Sequence, residues 1–391
     1  MIIKLAWRNW RYRWWQHALS ILLLILGIGL LLLVKESQRQ AEAKLERNLA
    51  GIDLVIGAKG SPLQLILSAI YQLDAPTGNI PLKEAQRWAN HPLIAEAVPL
   101  AYGDAAKGFR IVGCNYRYPE WYAAELAAGA YWKNNMEVVL GARVAESLQL
   151  KIGDQFDGNH GLDQGDEEEH GHYTVTGILK PNNSVIDQLI LCSVGSVWAV
   201  HGHEGNHEAE GEISALLLKY KTPRAALMLP RTINENTLLQ AAAPAIEINR
   251  VYFMLEGGSK SLSWIALALL GLSLISLFVQ SWQGIQNRLD ELALMRSFGL
   301  SKLKLVQLLA WENVWTALIG FLGAELMARL LLHFGGNWMG FGAAYRMEAW
   351  HFSNFDLYLA MACIAIAKFA VLAQARKLYR LDIPDLLLRD A

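Results

Sequence analysis

The chain has 391 residues, of which 53% are hydrophobic and only 18% charged, and its net charge is -1. Its mean hydropathy of +0.20 is too high for a wholly water-solvated protein of this length, so part of it is solvated by lipid. The near-zero charge argues against a nucleic-acid binder as the default, and three cysteines exclude a disulfide-rich scaffold. Cys363 lies in an apolar run, so only Cys114 and Cys192 are left to pair, and buried free thiols are the plainer reading.

Residues 1–17 have helical periodicity. Ile3, Trp7, Trp10 and Trp14 fall on one face of a wheel, with Lys4, Arg8 and Arg11 beside them. Tryptophan next to cations suits a helix lying in the headgroup region, where the charges meet anionic lipid. An ordinary positive flank of a membrane helix is compatible with the same residues. Residues 18–34 form a first span, and no small-residue cleavage site follows, so it reads as a retained anchor. The following stretch to Ala50 keeps only a narrow apolar stripe of Ala41, Leu45 and Leu49, as a stalk would.

Residues 35–258 combine this stalk with an α+β domain. Strands are expected at Asp53–Gly57, twice within Ala95–Val112, and at Glu137–Leu140, Tyr173–Leu179, Gln188–Val200 and Ser214–Tyr220. Helices are expected at Leu63–Leu73 behind Ser61-Pro62, from Pro81 through Asn90, at Ala142–Leu148, and from Thr222 to Leu229. The aromatic stretch Tyr116–Trp132 packs a core or lines a cleft. Gly257-Gly258 reads as a hinge before the second span, residues 259–283.

Residues 284–308 are charged and amphipathic. Gly299 suits a left-handed helix stop and Ser301 an N-cap, so the segment is a short helix, an elbow, and a helix returning to the membrane. The third span is 309–333, an outer loop 334–354, the fourth span 355–375 and a tail 376–391. Glu325 and Arg329 are four residues apart in the third span and can pair. Lys368 of the fourth span lies too deep to reach Glu325 easily, so it snorkels inward or faces a partner copy.

Basic residues cluster before the first span (Lys4, Arg8, Arg11, Arg13), between the second and third (Arg288, Arg296, Lys302, Lys304) and after the fourth (Arg376, Lys377, Arg380). The short loop between spans three and four has only Arg346. The termini and the elbow are therefore expected in the cytoplasm, and the large domain outside, in an inner-membrane protein.

Six of the ten histidines fall in two Gly- and acid-rich tracts: His160, His170 and His172, then His201, His203 and His207. Imidazoles mixed with carboxylates would accept Zn²⁺, Ni²⁺ or Cu²⁺, although a solvated loop with incidental histidines has the same composition. His203-Glu-Gly-Asn-His207 has the letters of His-Glu-x-x-His but lies in a Gly-rich, loop-like tract rather than a helical pattern, and no nucleophile constellation accompanies it, so a metalloenzyme is disfavoured.

Three stretches carry a family resemblance. Glu291-Leu-Ala-Leu-Met-Arg-Ser-Phe-Gly-Leu-Ser301, Val138 through Asp154, and Leu5-Ala-Trp-Arg-Asn-Trp10 resemble the MacB/FtsX/LolC-LolE type of ABC-transporter permease. One departure is Leu292-Ala293, where that family often has Ile-Gly. The resemblance implies four membrane helices with a large extracytoplasmic α+β domain between the first and second. It implies a non-enzymatic subunit, dimerised as a homodimer or heterodimer, resting on a cytoplasmic ABC ATPase at Glu291, Arg296, Gly299 and Ser301. It also implies that ATP-driven motion reaches a lipoprotein, lipid, peptide or metal-linked cargo, with or without a periplasmic partner protein. The alternative within the family is an FtsX-like scaffold that activates an extracytoplasmic enzyme. The chain has no G-x-x-x-x-G-K-[ST] with which to cradle ATP itself.

Overall fold

The computed structural model describes residues 2–159, 169–201, 211–338, 349–350 and 352–379. The chain opens with α1 (Ile2–Tyr12) and α2 (Trp14–Leu49). Then come β1 (Leu54–Ala58), α3 (Pro62–Ala69), β2 (Ile80–Pro81), α4 (Leu82–Ala89), β3 (Ile94–Ala106), β4 (Phe109–Cys114) and α5 (Arg117–Trp121). Next are β5 (Leu126–Gly129), β6 (Glu137–Leu140), α6 (Ala142–Leu148), β7 (Gln155–Asn159), β8 (Glu169–Leu179), β9 (Ile190–Ser193) and α7 (Val194–His201). The last are β10 (Glu212–Ile213), β11 (Ala215–Tyr220), α8 (Arg224–Asn236), β12 (Leu239–Ala242), α9 (Pro244–Gln286), α10 (Leu289–Ser297), α11 (Lys302–Trp338) and α12 (Asn354–Tyr379).

Two compact units result, one of residues 41–254 and one of residues 1–40 with 255–391. The first is built on a ten-stranded mixed sheet ordered β12-β1-β11-β3-β4-β9-β6-β8-β5, with β7 alongside β3 and β8. The pairs β4–β9 and β6–β8 are parallel. Strand alternation explains why β1 and β11 read as unbroken apolar runs. Val55 and Leu217 enter one core, while Leu54, Ile56, Leu216 and Leu218 enter another on the opposite face. Tyr118, Tyr122 and Trp132 pack in the first core, so the aromatic stretch is packing rather than a cleft.

Three sequence expectations change here. The strand expected over Gln188–Val200 is only β9, and the remainder is helix α7. Ser193 accepts from the Ser196 amide at 3.0 Å, as an N-terminal helix cap does, and this turns the apolar run helical. Helix α8 continues beyond Pro230 to Asn236. Its stripe of Ala225, Leu229 and Ile233 is buried against the second core, which outweighs the backbone bond that proline removes. Gly257 and Gly258 lie inside the unbroken α9 rather than at a hinge, since flanking helical residues carry the two glycines at about 1 kcal/mol each.

Cys114 and Cys192 are buried free thiols. Burial pushes the Cys192 thiol up to about 12, and that of Cys114 well above its usual range. The last turns of α2 are built into this unit. Leu45 and Leu49 pack on the first core, the Tyr122 hydroxyl donates to the Asn48 carbonyl at 3.0 Å, and the Asn48 side chain accepts from the Val185 amide at 2.8 Å.

The other unit contains helices long and apolar enough to cross a membrane: α2, α9, α11 and α12. Leu24, Ile28, Leu32, Leu277, Ala324, Ala328 and Cys363 form its apolar centre. Backbones approach closely there. A Cβ on Gly27 would come within 3.0 Å of the Leu270 amide nitrogen, and one on Gly320 within 2.8 Å of Leu24 Cβ.

Candidate functional site: the elbow and its root

The elbow between α10 and α11 is closed by a glycine stop of the kind its sequence predicts. Gly299 has φ +92°, its amide donates to the Arg296 carbonyl at 3.0 Å, and the Leu300 amide donates to the Met295 carbonyl at 3.2 Å. This pair of bonds is a Schellman ending, and Leu300 and Met295 pack on the same apolar cluster, as that motif prefers. Open space surrounds Gly299, so only its backbone angle requires glycine. Ser301 occupies the cap position before α11, and its carbonyl accepts from the Leu305 amide at 3.2 Å.

Leu292 and Ala293 face inward, whereas Leu294, Phe298 and Leu303 are exposed by 52%, 82% and 59%. The exposed face of the elbow is therefore apolar. Sequence reasoning singled out Glu291, Arg296, Gly299 and Ser301 and passed over these three. Their signal was present: Leu294 and Phe298 are four residues apart, off the buried stripe.

Glu291 is not simply a solvated charge. It accepts from Arg288 Nε at 3.1 Å and also pairs with Arg13. Burial works against its charge, but hydrogen bonds from Arg288 and Arg13 and the charge on both hold its carboxyl below the usual range. Arg288 is buried, and its Nη1 donates to the buried Glu312 of α11 at 2.8 Å. Glu312 also accepts from the Asn9 amide at 3.2 Å. Trp10 Nε1 donates to Thr316 Oγ1 at 3.0 Å, and His17 Nδ1 lies 2.9 Å from the same oxygen. A hydrogen-bonded chain thus runs from the elbow helix through Arg288 to α11, with α1 clasped onto it. The inward face of α1 is Ala6, Asn9 and Trp10, continued by Arg13 just after its end. Trp7 edges against Trp315 with ring centroids 4.8 Å apart, so the tryptophan face is partly docked on protein rather than wholly on lipid.

At the other end of α11, Arg329 pairs with Glu325 at 3.1 Å as expected, and also with Asp356 at 2.9 Å and the Ala349 carbonyl at 3.1 Å. Lys368 is exposed and sits 5.8 Å from the centre of the Trp311 ring.

Of the predicted metal ligands, His160, His203 and His207 lie outside the described residues, and only the backbone places His170, in β8, and His201, ending α7. His172 Nδ1 hydrogen-bonds the Asp157 carboxylate. No cluster of three or more histidine, cysteine or acidic side chains stands ready for a metal among the described residues.

Comparison with known proteins adds the family. The MacB-like periplasmic core domain matches residues 18–226, more than half of the chain, and the FtsX-like permease C-terminal domain matches residues 263–383. Among solved structures, the chain is similar to the periplasmic region of MacB from Actinobacillus actinomycetemcomitans, with 11% identity and a TM-score of 0.36, covering 54% of this chain and 98% of that one. It is also similar to the extracellular domain of the noncanonic ABC-type transporter YknZ from Gram-positive bacteria, with 12% identity and a TM-score of 0.32, covering 49% of this chain and 98% of that one. Comparison with curated proteins gives no match. The chain belongs to the MacB/FtsX family of permeases, membrane components with a large extracytoplasmic core domain.

Proposed function

We propose that this chain is the permease subunit of an ABC transporter, driven by a separate cytoplasmic ATPase that grips the α10–α11 elbow. The observation that carries this reading is the exposed Leu294, Phe298 and Leu303 at a joint whose root is locked by Arg288 and Glu312. A partner needs an apolar grip to bind and a stiff root to push against. The unbroken helices α2 and α9, which continue from the membrane unit into the other unit, supply the route by which displacement leaves. On this reading the termini and elbow are cytoplasmic, residues 35–258 and 334–354 are outside, and two permease copies share the ATPase pair. Substituting Leu294→Asp with Phe298→Asp should abolish co-purification of the ATPase while leaving the chain folded in the membrane. Undiminished co-purification would refute the coupling role.

We further propose that the cargo or its carrier is linked to a divalent metal such as Zn²⁺. Gly171 of β8 lies so close to α7 that a methyl group there would come within 2.9 Å of Val200 Cγ2. The described ends of the two histidine tracts therefore adjoin, and an ion could draw imidazoles from both. Calorimetric titration of the full chain with zinc should show binding that is lost when His170, His172, His201 and His203 are all changed to alanine. Equal binding by both proteins removes the metal from the account.

A further inference from the structure

The two sides of α1 are divided by chemistry. At 100° per residue, the buried Ala6 falls on one side with Asn9, Trp10 and Arg13, whose side chains bond to α11 or the elbow helix, and Trp7 at the edge rests on Trp315 of α11. The opposite side carries Lys4, Arg8 and Arg11 within one narrow arc, flanked by Trp7 and Tyr12. All five are exposed, Tyr12 by 86%. Trp14 and Trp15 follow at the start of α2, exposed by 44% and 74% and stacked on each other at 3.8 Å.

None of the three cations has a carboxylate partner among the described residues, whereas Arg13 on the other side is held by Glu291. Their freedom is not for lack of acid nearby in the chain. Glu291 and Glu312 are both on the inward side and already engaged. The outer stripe is thus a row of cations between aromatic rings on a helix pinned sideways to a membrane-crossing helix. Rings with a polar edge favour the zone between hydrocarbon and water, and the cations there meet whatever anion that zone holds.

We infer that Lys4, Arg8 and Arg11 form a docking surface for the headgroups of anionic phospholipid, so that α1 is strapped between the bilayer surface and the root of the elbow. The occupant is a bilayer surface rather than a protein, because the stripe leads into the exposed Trp14, Trp15, Leu19 and Leu22 of a helix long and apolar enough to cross a membrane. Its spacing, three cations over eight residues, also suits several separate headgroups along a line. The inference rests on the membrane assignment of the helices and not on the ATPase coupling proposed above.

The test uses the full chain in nanodiscs of phosphatidylcholine carrying a trace of spin-labelled phosphatidylglycerol or spin-labelled phosphatidylcholine. The fraction of each label immobilised by the protein gives their relative association. The wild type should favour phosphatidylglycerol by a factor of roughly three or more, and added salt should lower that preference. Lys4→Gln/Arg8→Gln/Arg11→Gln should bring it to near unity, whereas Arg13→Gln, on the inward side, should leave it unchanged. A triple variant that keeps the full preference overturns the inference. So does one that keeps the preference but loses a co-purifying ATPase, because the stripe would then be a protein surface. Failure of the elbow substitutions to release the ATPase would not touch this result.

Discussion

Glu312→Leu is expected to be among the most damaging single substitutions in the membrane unit, lowering its stability by about 3–5 kcal/mol. The reason is what it leaves behind. Arg288 is 6% exposed and Glu312 5% exposed, with a contact of 2.8 Å between them. Removing the carboxylate takes the acceptor from the buried Arg288 Nη1, and the Asn9 amide loses its acceptor as well. Glu291 stays on Arg288 Nε but offsets only part of the loss, since its side chain is 46% exposed and shared with Arg13. The apolar pair Arg288→Met/Glu312→Leu should recover most of the loss, because no charge is then buried without a partner. Glu325→Leu is the internal control. Arg329 would keep Asp356 and the Ala349 carbonyl, so the cost there should be clearly smaller. Denaturant unfolding of the full chain in detergent ranks the three. If Glu312→Leu proves no worse than Glu325→Leu, the pair is not the root of the elbow.

The contrast between these two ion clusters shows what was legible in the sequence. Glu325 and Arg329 stand on one helix four residues apart, so periodicity alone pairs them. Arg288 and Glu312 lie on different helices, and Asn9 and Arg13 on a third element, so no local period relates them. The elbow itself was readable because Gly299 and Ser301 are local signals, and Gly299 has the left-handed angle that glycine favours. The membrane-length helices α2, α9, α11 and α12 were readable from hydrophobic run length. The sheet order was not: β4 pairs in parallel with β9, 79 residues on from Ile111 to Ile190, and only the assembled fold brings them together. Strand β12 and strand β7 were also missed. Strand β12 is held by β1, far away in sequence, and β7, Gln-Phe-Asp-Gly-Asn, has few residues that favour a strand and is held by pairing with β8.

Gly141→Ala should cost the extracytoplasmic unit about 3 kcal/mol, at the upper end of what overpacking does. The backbone of Gly141 is ordinary, with φ -59° and ψ 150°, so conformation alone would admit alanine. Space does not. A Cβ would lie 2.3 Å from the Ile186 carbonyl oxygen and 2.5 Å from that of Asp187, and both obstacles are backbone rather than a yielding side chain. The segment they belong to cannot retreat cheaply. The Asp187 carboxylate accepts from the Asn183 amide at 2.8 Å, the Gly141 amide donates to the Leu189 carbonyl at 2.9 Å, and the Val185 amide donates to Asn48 at 2.8 Å. Pushing residues 186–187 away therefore loosens the end of α2 where Asn48 ties it into the domain. Gly153→Ala provides the comparison. Its φ of +93° is strained for alanine, yet its surroundings are open, so the cost should stay near 1 kcal/mol. Hydrogen exchange on the full chain should show faster exchange at residues 185–189 and at the last turn of α2 for Gly141→Ala, and at neither for Gly153→Ala. Equal destabilisation by the two alanines, or unchanged exchange at Val185, would mean that the contact at Gly141 does not brace the stalk.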